Sequence, residues 1–222
     1  MKHWLRSNRG FLVFLLIFGF FRTAVADWNP IPSGSMRPTI LEGDVVFVDR
    51  LAYDLKIPLT DKVLARLGEP QRGDIVTFAS PRDGTRLIKR LVALPGDVVE
   101  LRDDVLFING HAAQYSEVTR TTEPLGHGIV VDATRATETL AGSRRTVQTL
   151  PGVGALRSFG PVVVPANQFF MLGDNRDNSA DSRYIGFVPR ERLIGRAMRV
   201  LVSADILGNW LPRIERTVSK LQ

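Results

Sequence analysis

Lysine occurs in this 222-residue chain only at positions 2, 56, 62, 89 and 220, so a lysine in an unusual setting carries information. Lys89 lies in Leu87-Ile88-Lys89-Arg90-Leu91-Val92, followed by Pro95-Gly96-Asp97. On a strand it shares a face with Leu87 and Leu91 and projects from an apolar row. Desolvation there disfavours the ammonium. To work as a base near neutral pH the amine must fall well below about 10.4, each tenfold step being worth about 1.4 kcal/mol. Taken alone, the segment is better described by a solvated lysine on the open face of a half-exposed strand, since lysine is rarely fully buried.

A second segment, Pro30-Ile31-Pro32-Ser33-Gly34-Ser35-Met36-Arg37-Pro38-Thr39, holds hydroxyls two residues apart. Its prolines forbid a helix and keep the backbone extended, and Gly34 lets N–H groups turn toward one point. That geometry suits a nucleophile with an oxyanion hole, and it also describes a linker. A third segment, residues 173–183, reads Gly-Asp-Asn-Arg-Asp-Asn-Ser-Ala-Asp-Ser-Arg between apolar runs. So polar a loop must satisfy itself through Asx turns and ion pairs, with Asp181–Arg183 and Asp174–Arg90 as partners. It does not read as a calcium loop, because the glycine at loop position six and glutamate at twelve are missing. No metal site is expected.

These segments need a scaffold. Residues 1–10 carry Lys2, Arg6 and Arg9 without an acid, ahead of the apolar run Phe11 to Phe21. That run and Ala24-Val25-Ala26 also fit a cleaved leader. A helix over 11–28 would be about 27 Å long, however, with Arg22 snorkelling and Trp28 at the interface, and a retained anchor is the expectation. The charge bias puts residues 1–10 in the cytoplasm and the rest on the periplasmic or extracytoplasmic side of the inner membrane.

Beyond the anchor the period is two, at Val45–Val48, Asp74–Phe78, Thr85–Leu94, Val98–Leu101, Val105–Ile108, Phe169–Leu172 and Ala197–Val202, so the domain is mainly β. Asp103-Asp104 and Asn109-Gly110 read as turns. A short helix is expected at Thr60–Leu67, capped by Thr60 or Asp61. Residues 116–160, rich in Thr, Gly and Arg with weak periodicity, read as an excursion from the core. Hydrophobic content of 44% with 23% charged residues excludes a disordered chain. Net charge +6 suits an anionic surface without choosing which. The lack of cysteine excludes disulfides, a thiolate nucleophile and cysteine-ligated zinc.

Ser-Gly-Ser-Met-Arg-Pro-Thr after an apolar segment, Lys-Arg before Leu-Pro-Gly-Asp, and Gly-Asp-Asn-Arg-Asp-Asn-Ser-Ala-Asp-Ser-Arg-Tyr-Ile-Gly-Phe-Val-Pro occur here in one order. In this the chain resembles the bacterial type I signal peptidase family. The resemblance implies a β-rich catalytic domain (29–96 and 166–222) with a smaller inserted β lobe (97–165), preceded by one transmembrane helix (11–28). It implies Ser35 as nucleophile and Lys89 as general base, with the Ser35 N–H and Ser33 hydroxyl as oxyanion hole. Ser179 would orient the lysine, and Arg90, Asp174, Asn178, Asp181 and Arg183 would brace the site. Ile31, Met36, Ile40, Leu87 and Ile88 would line pockets for small side chains.

The implied substrates are preproteins with small residues one and three positions before the cut. Membrane lipid is the other expected partner, a monomer is expected, and neither a cofactor nor nucleic acid is expected. The chemistry of the residues agrees: a serine needs a base, and His3, His111 and His127 all stand outside the three segments. Two departures stand out. There is one apolar segment where some relatives have two, and Leu87 replaces an expected aromatic. Three other readings compete: a Ser/Lys maturation peptidase of a conjugation or secretion system, a self-cleaving repressor, and a non-catalytic scaffold. The repressor requires an N-terminal DNA-binding domain where the apolar segment stands.

Overall fold

The computed structural model describes residues 4, 8–57, 60, 62–126 and 128–221. Most of the expected cytoplasmic tail therefore lies outside the described residues. Helix α1 spans Arg9–Ala24 and gives way to strand β1, Ala26–Pro30. The expected helix to Trp28 is thus four residues too long. Val25 N–H closes on Phe21, and from Ala26 the chain pairs with β2, Asp44–Asp49, placing Trp28 opposite Phe47. Pairing with β2 satisfies backbone groups that a longer helix would otherwise carry. Among the described residues no helix is long and apolar enough to cross a membrane.

The expected helix at Thr60–Leu67 is also replaced. Residue 61 lies outside the described residues, and Val63–Arg66 forms strand β4 against β3, Asp54–Lys56. All four residues of β4 are exposed, so a helix here would have had no apolar face to bury.

The strands read from alternation are present. β5 is Ile75–Ala79, β6 is Arg86–Ala93, β7 is Val98–Arg102 and β8 is Val105–Ile108. The β7–β8 turn carries Asp103 and Asp104, and the turn after β8 carries Asn109 and Gly110, all with positive φ as tight hairpins require. β9 is His111–Ala112, β10 is Gln114–Gly126, β11 is Ile129–Leu140, β12 is Ser143–Thr149, β13 is Phe159–Val163 and β14 is Gln168–Leu172. After the one-turn helix α2, Ser182–Ile185, come β15, Val188–Pro189, and β16, Leu193–Ser203.

The excursion expected over 116–160 is therefore mostly strand. Its alternation is hidden because β10 and β11 form a long ribbon with much of both faces in water.

Seven strands form the main sheet, in the order β1-β2-β16-β5-β6-β14-β15, and β10-β11-β12 and β13-β7-β8-β9 form two smaller sheets. β14 is buried on both faces. Phe169 and Met171 point into a cluster with Val76, Phe78 and Leu91, while Phe170 and Leu172 point into another with Val99, Leu101 and Leu106. Each such side chain contributes about 1.5–3 kcal/mol of burial. The second cluster joins the main sheet to the four-stranded sheet, so both move as one support beneath β6. A third cluster, of Ile31, Met36, Ile40, Val46, Val48, Ile75 and Ala197, pins the chain that follows β1.

Candidate active site

The segment after β1 is fixed before its hydroxyls are placed. Ile31 N–H donates to Asp44 O at 2.9 Å, and the buried Met36 and Ile40 clamp the stretch from below. Between these anchors Gly34–Met36 makes a single 3₁₀ turn that carries Ser35. Gly34 serves here by smallness, since a Cβ would stand 2.6 Å from Glu42 Oε1 and 3.1 Å from Arg37 Cδ. Arg37 follows through a cis peptide to Pro38. Its Nε donates to Glu42 at 2.6 Å and its Nη1 to Glu123 at 2.5 Å.

Lys89 arrives on β6, opposite Val76 of β5. It is 3% exposed. Its Nζ donates to Ser35 Oγ at 2.6 Å and to Ile88 O at 2.9 Å. Burial drives the amine down to about 8, against the opposing pull of Asp181 and Asp174. At that value part of the amine is neutral near physiological pH, in contact with a hydroxyl.

The loop 173–181 closes the other side. Asp174 takes a bidentate pair from the fully buried Arg90, at 2.8 and 2.7 Å, and accepts from Thr39 Oγ1 at 2.6 Å. Asp181 is gripped by Arg183 at 2.8 and 2.9 Å, accepts Gly173 N–H at 3.1 Å, and caps α2. Gly173 is required by close approach: a Cβ would meet Ser179 Oγ at 2.2 Å and Ser35 O at 2.5 Å. Asn175 Nδ2 donates to Gly34 O at 3.0 Å, and the Asn175 N–H donates to Ser35 O at 3.2 Å.

The profile described as signal peptidase, peptidase S26, matches residues 2–202. The chain belongs to this family. Signal peptidase I of Pseudomonas fluorescens is 36% identical over 208 residues, 88% of this chain and 72% of that protein. Signal peptidase I of Rickettsia typhi is 39% identical over 195 residues, covering 79% and 72%. A crystal structure of a signal peptidase I from Enterococcus faecalis V583 aligns over 58% of this chain and 96% of that one, at 34% identity and a TM-score of 0.35, too loose an overlap to inform the fold. Membership makes the chain a type I, signal peptide-removing serine peptidase.

Not every expected residue falls where the sequence reading put it. Ser35, Lys89, Arg90, Asp174, Asp181 and Arg183 converge through the contacts above. Ser179 does not hydrogen-bond to Lys89. Its Oγ is buried beside Gly173 and has no hydrogen-bond partner among the described residues. Asn178 is exposed and contributes a backbone bond to Asn175 O at 3.1 Å. Ser33 is exposed just before the turn, and its side chain makes no cap hydrogen bond. Of the five expected pocket residues, Leu87 and Ile88 are partly exposed. Ile31 is nearly buried, and Met36 and Ile40 are wholly buried in the third cluster. A substrate cannot touch those last two without displacing core, so they support the site from beneath.

Other residues of the site escaped the sequence reading. Glu138 on β11 is fully buried between Arg145 and Arg176 and accepts from Tyr115 Oη at 2.7 Å. Burial opposes its charge, but Arg176 and Arg145 hold the carboxyl down to about 2. Because Gln148 bridges Asn175, this network ties the inserted sheet to the loop that holds Ser35. Glu123, held within that sheet by Arg135, ties it directly to the Ser35 segment through Arg37. No local pattern marks either glutamate, each lying in a Thr-rich strand.

Proposed function

We propose that the enzyme cuts by Ser/Lys acyl transfer, and the 2.6 Å contact between a buried, easily neutralised amine and a hydroxyl carries this reading. In the neutral form the bond reverses and Ser35 O–H donates to Nζ. Oγ attacks the scissile carbonyl as its proton passes to Lys89. The oxyanion is met by the Ser35 N–H, one of the turn's leading groups that lack a partner within it, and by the Ser33 hydroxyl. Collapse expels the amine, which takes the proton from Lys89. A water, deprotonated by the same lysine, then attacks the ester and regenerates Oγ. Once Ser35 is acylated Lys89 loses that hydroxyl partner, and the buried, unpartnered Ser179 hydroxyl is assigned to hold the amine for this second step.

Substrates are extended preprotein segments with small residues one and three positions before the cut. Among the described residues β6 is paired along Arg86–Lys89 with β5 alone, since β14 joins it from Arg90 onward, and this edge suits an added strand. Leu87 and Ile88 on that edge limit side-chain size. Residues 29–96 and 166–222 are assigned to the catalytic domain and 97–165 to the inserted lobe.

The domain is further assigned to the outer face of the inner membrane, held by α1. Phe11, Val13, Phe14, Leu15, Ile17, Phe18 and Phe21 are apolar and exposed around the helix, a surface that lipid would cover. Its sixteen residues span about 24 Å, a short span that local thinning and the flanking Arg9 and Arg22 accommodate.

The test is cleavage of an Ala-x-Ala preprotein by the wild type beside Lys89→Ala. Loss of about 10²–10⁴-fold or more with the fold intact is expected. An active, folded Lys89→Ala enzyme would remove the dyad. Assay of several unrelated preproteins separates this general role from that of a maturation peptidase with one dedicated substrate.

A further inference from the structure

Where α1 meets the sheet, three guanidinium groups gather around one carboxylate. Arg22 in the last turn of α1, Arg50 after β2 and Arg86 at the start of β6 line a cleft of about 480 Å³ with Asp27 and Thr60. Asp27 is buried, and among the described residues only Arg86 hydrogen-bonds to it from this trio, Nη1 to Oδ2 at 2.9 Å. Arg22 Nε and Arg50 Nη1 stand 3.5 and 3.6 Å from its oxygens, too far for good charge-assisted bonds. Burial pushes the Arg50 guanidinium below its ordinary range; Asp27 opposes this and Arg86 reinforces it. Three cations face one anion, so the cleft carries two positive charges in excess; Arg50 is largely buried there, while Arg22 and Arg86 are about half exposed and keep N–H groups open to a ligand.

The surroundings say what kind of anion fits. Arg22 stacks over Trp28 at 4.6 Å, and Phe18 packs on the same ring at 5.9 Å. Exposed Phe18 and Phe21 of α1 continue from there as bare apolar surface. A ligand with a negative head and apolar chains would fill both halves. We propose that this cleft binds the phosphodiester of an anionic glycerophospholipid, with the planar forks of Arg22, Arg50 and Arg86 as donors and the acyl chains along α1. This rests on the membrane placement of α1 argued above. The bound headgroup would fix the tilt of the sheet against the bilayer, and with it the height of the β6 edge.

Full-length protein in neutral detergent is titrated with dihexanoyl phosphatidylglycerol, dihexanoyl phosphatidylcholine and inorganic phosphate, reading the unfolding temperature. Expected is a saturable rise with phosphatidylglycerol alone, with the apparent affinity about tenfold weaker in Arg50→Gln and partly restored in Arg50→Lys. An equal response of wild type and Arg50→Gln, or a rise with inorganic phosphate as large as with the lipid, overturns the proposal. Should Arg50→Gln not fold, Arg22→Gln on the half-exposed helix end makes the same comparison. Flotation on phosphatidylcholine vesicles with and without phosphatidylglycerol reads the membrane placement separately. Failure of the wild type to float on either refutes that placement, whereas the short-chain titration judges the cleft in both cases.

Discussion

The backbone N–H of Asn175 donates to the carbonyl of Ser35 at 3.2 Å, while the Asn175 side chain holds the preceding Gly34 carbonyl. The 3₁₀ turn is therefore gripped from the far loop at successive peptides. Lys89 approaches from a third element, β6, so the dyad distance is set by rigid parts and not by side-chain reach.

That rigidity gives the rate a defined pH dependence. Only the neutral amine accepts the Ser35 proton, and burial places its titration at about 8. kcat/KM for a soluble leader peptide is expected to rise tenfold per pH unit below about 8 and to level off above it. An acidic limb centred below about 6 would exclude Lys89 as the base.

The same burial has a cost to stability. Because the folded pKa of Lys89 lies below its ordinary value of 10.5, the charged form is penalised in the fold at all pH below about 8, and the penalty fades as pH rises from 8 through 10.5. Lys89→Met should abolish cleavage and raise stability at pH 7 by about 1–3 kcal/mol, with the gain shrinking at pH 10. Denaturant unfolding at the two pH values checks it.

Glu138 reports on the inserted sheet in the opposite sense. Its carboxyl is depressed to about 2 from an ordinary 4.5, so its contribution is complete above about 4.5 and is lost as pH falls toward 2. Roughly 3 kcal/mol of stability should disappear over that window in the wild type and not in Glu138→Gln. At pH 7 the variant, with two buried arginines left without the carboxylate that pairs them, should be less stable by about 3–5 kcal/mol. Thermal melts across pH compare them.

Gly173→Ala should misplace the nucleophile. The new Cβ meets Ser179 and the Ser35 carbonyl at 2.5 Å or less, and the backbone contact cannot be relieved by rotating a side chain. The expected outcome is a kcat loss of at least about tenfold with a smaller change in KM, alongside about 1–3 kcal/mol of destabilisation.

The chain's own Ala24-Val25-Ala26 should survive. Ala26 pairs with Asp49, and Val25 O accepts from Arg50 N–H at 3.0 Å, so this stretch cannot extend into the site without peeling β1 from the sheet. Intact-mass measurement of the detergent-extracted enzyme should find residues 1–26 attached. A mass beginning at Asp27 would show that β1 opens.

Much of this was legible in the residues. Period-two apolar runs marked β2, β5, β6, β7, β8, β14 and β16, because each buries a face. Asp-Asp and Asn-Gly marked the hairpins, because their short side chains tolerate positive φ. The segments bearing Ser35, Lys89 and Asp174–Arg183 could be singled out, since prolines, a lone lysine and a polar loop among apolar neighbours each break local expectation.

Other features left no local trace. The two-sided ribbon β10–β11 is wet on much of both faces, and the exposed hairpin β3–β4 buries too little to show a pattern. The end of α1 was decided by β2, whose free edge captured residues that helix propensity alone would have continued. Met36 and Ile40 read equally as pocket wall or core until their neighbours were known. Glu123 and Glu138 reached the site because the inserted sheet folds back onto the loop after β14. Local chemistry can name a hydroxyl and an amine. Only the packing of β6 against the pinned turn after β1 decides that they touch and that the amine stays dry, because distance and desolvation belong to the surroundings and not to the residue.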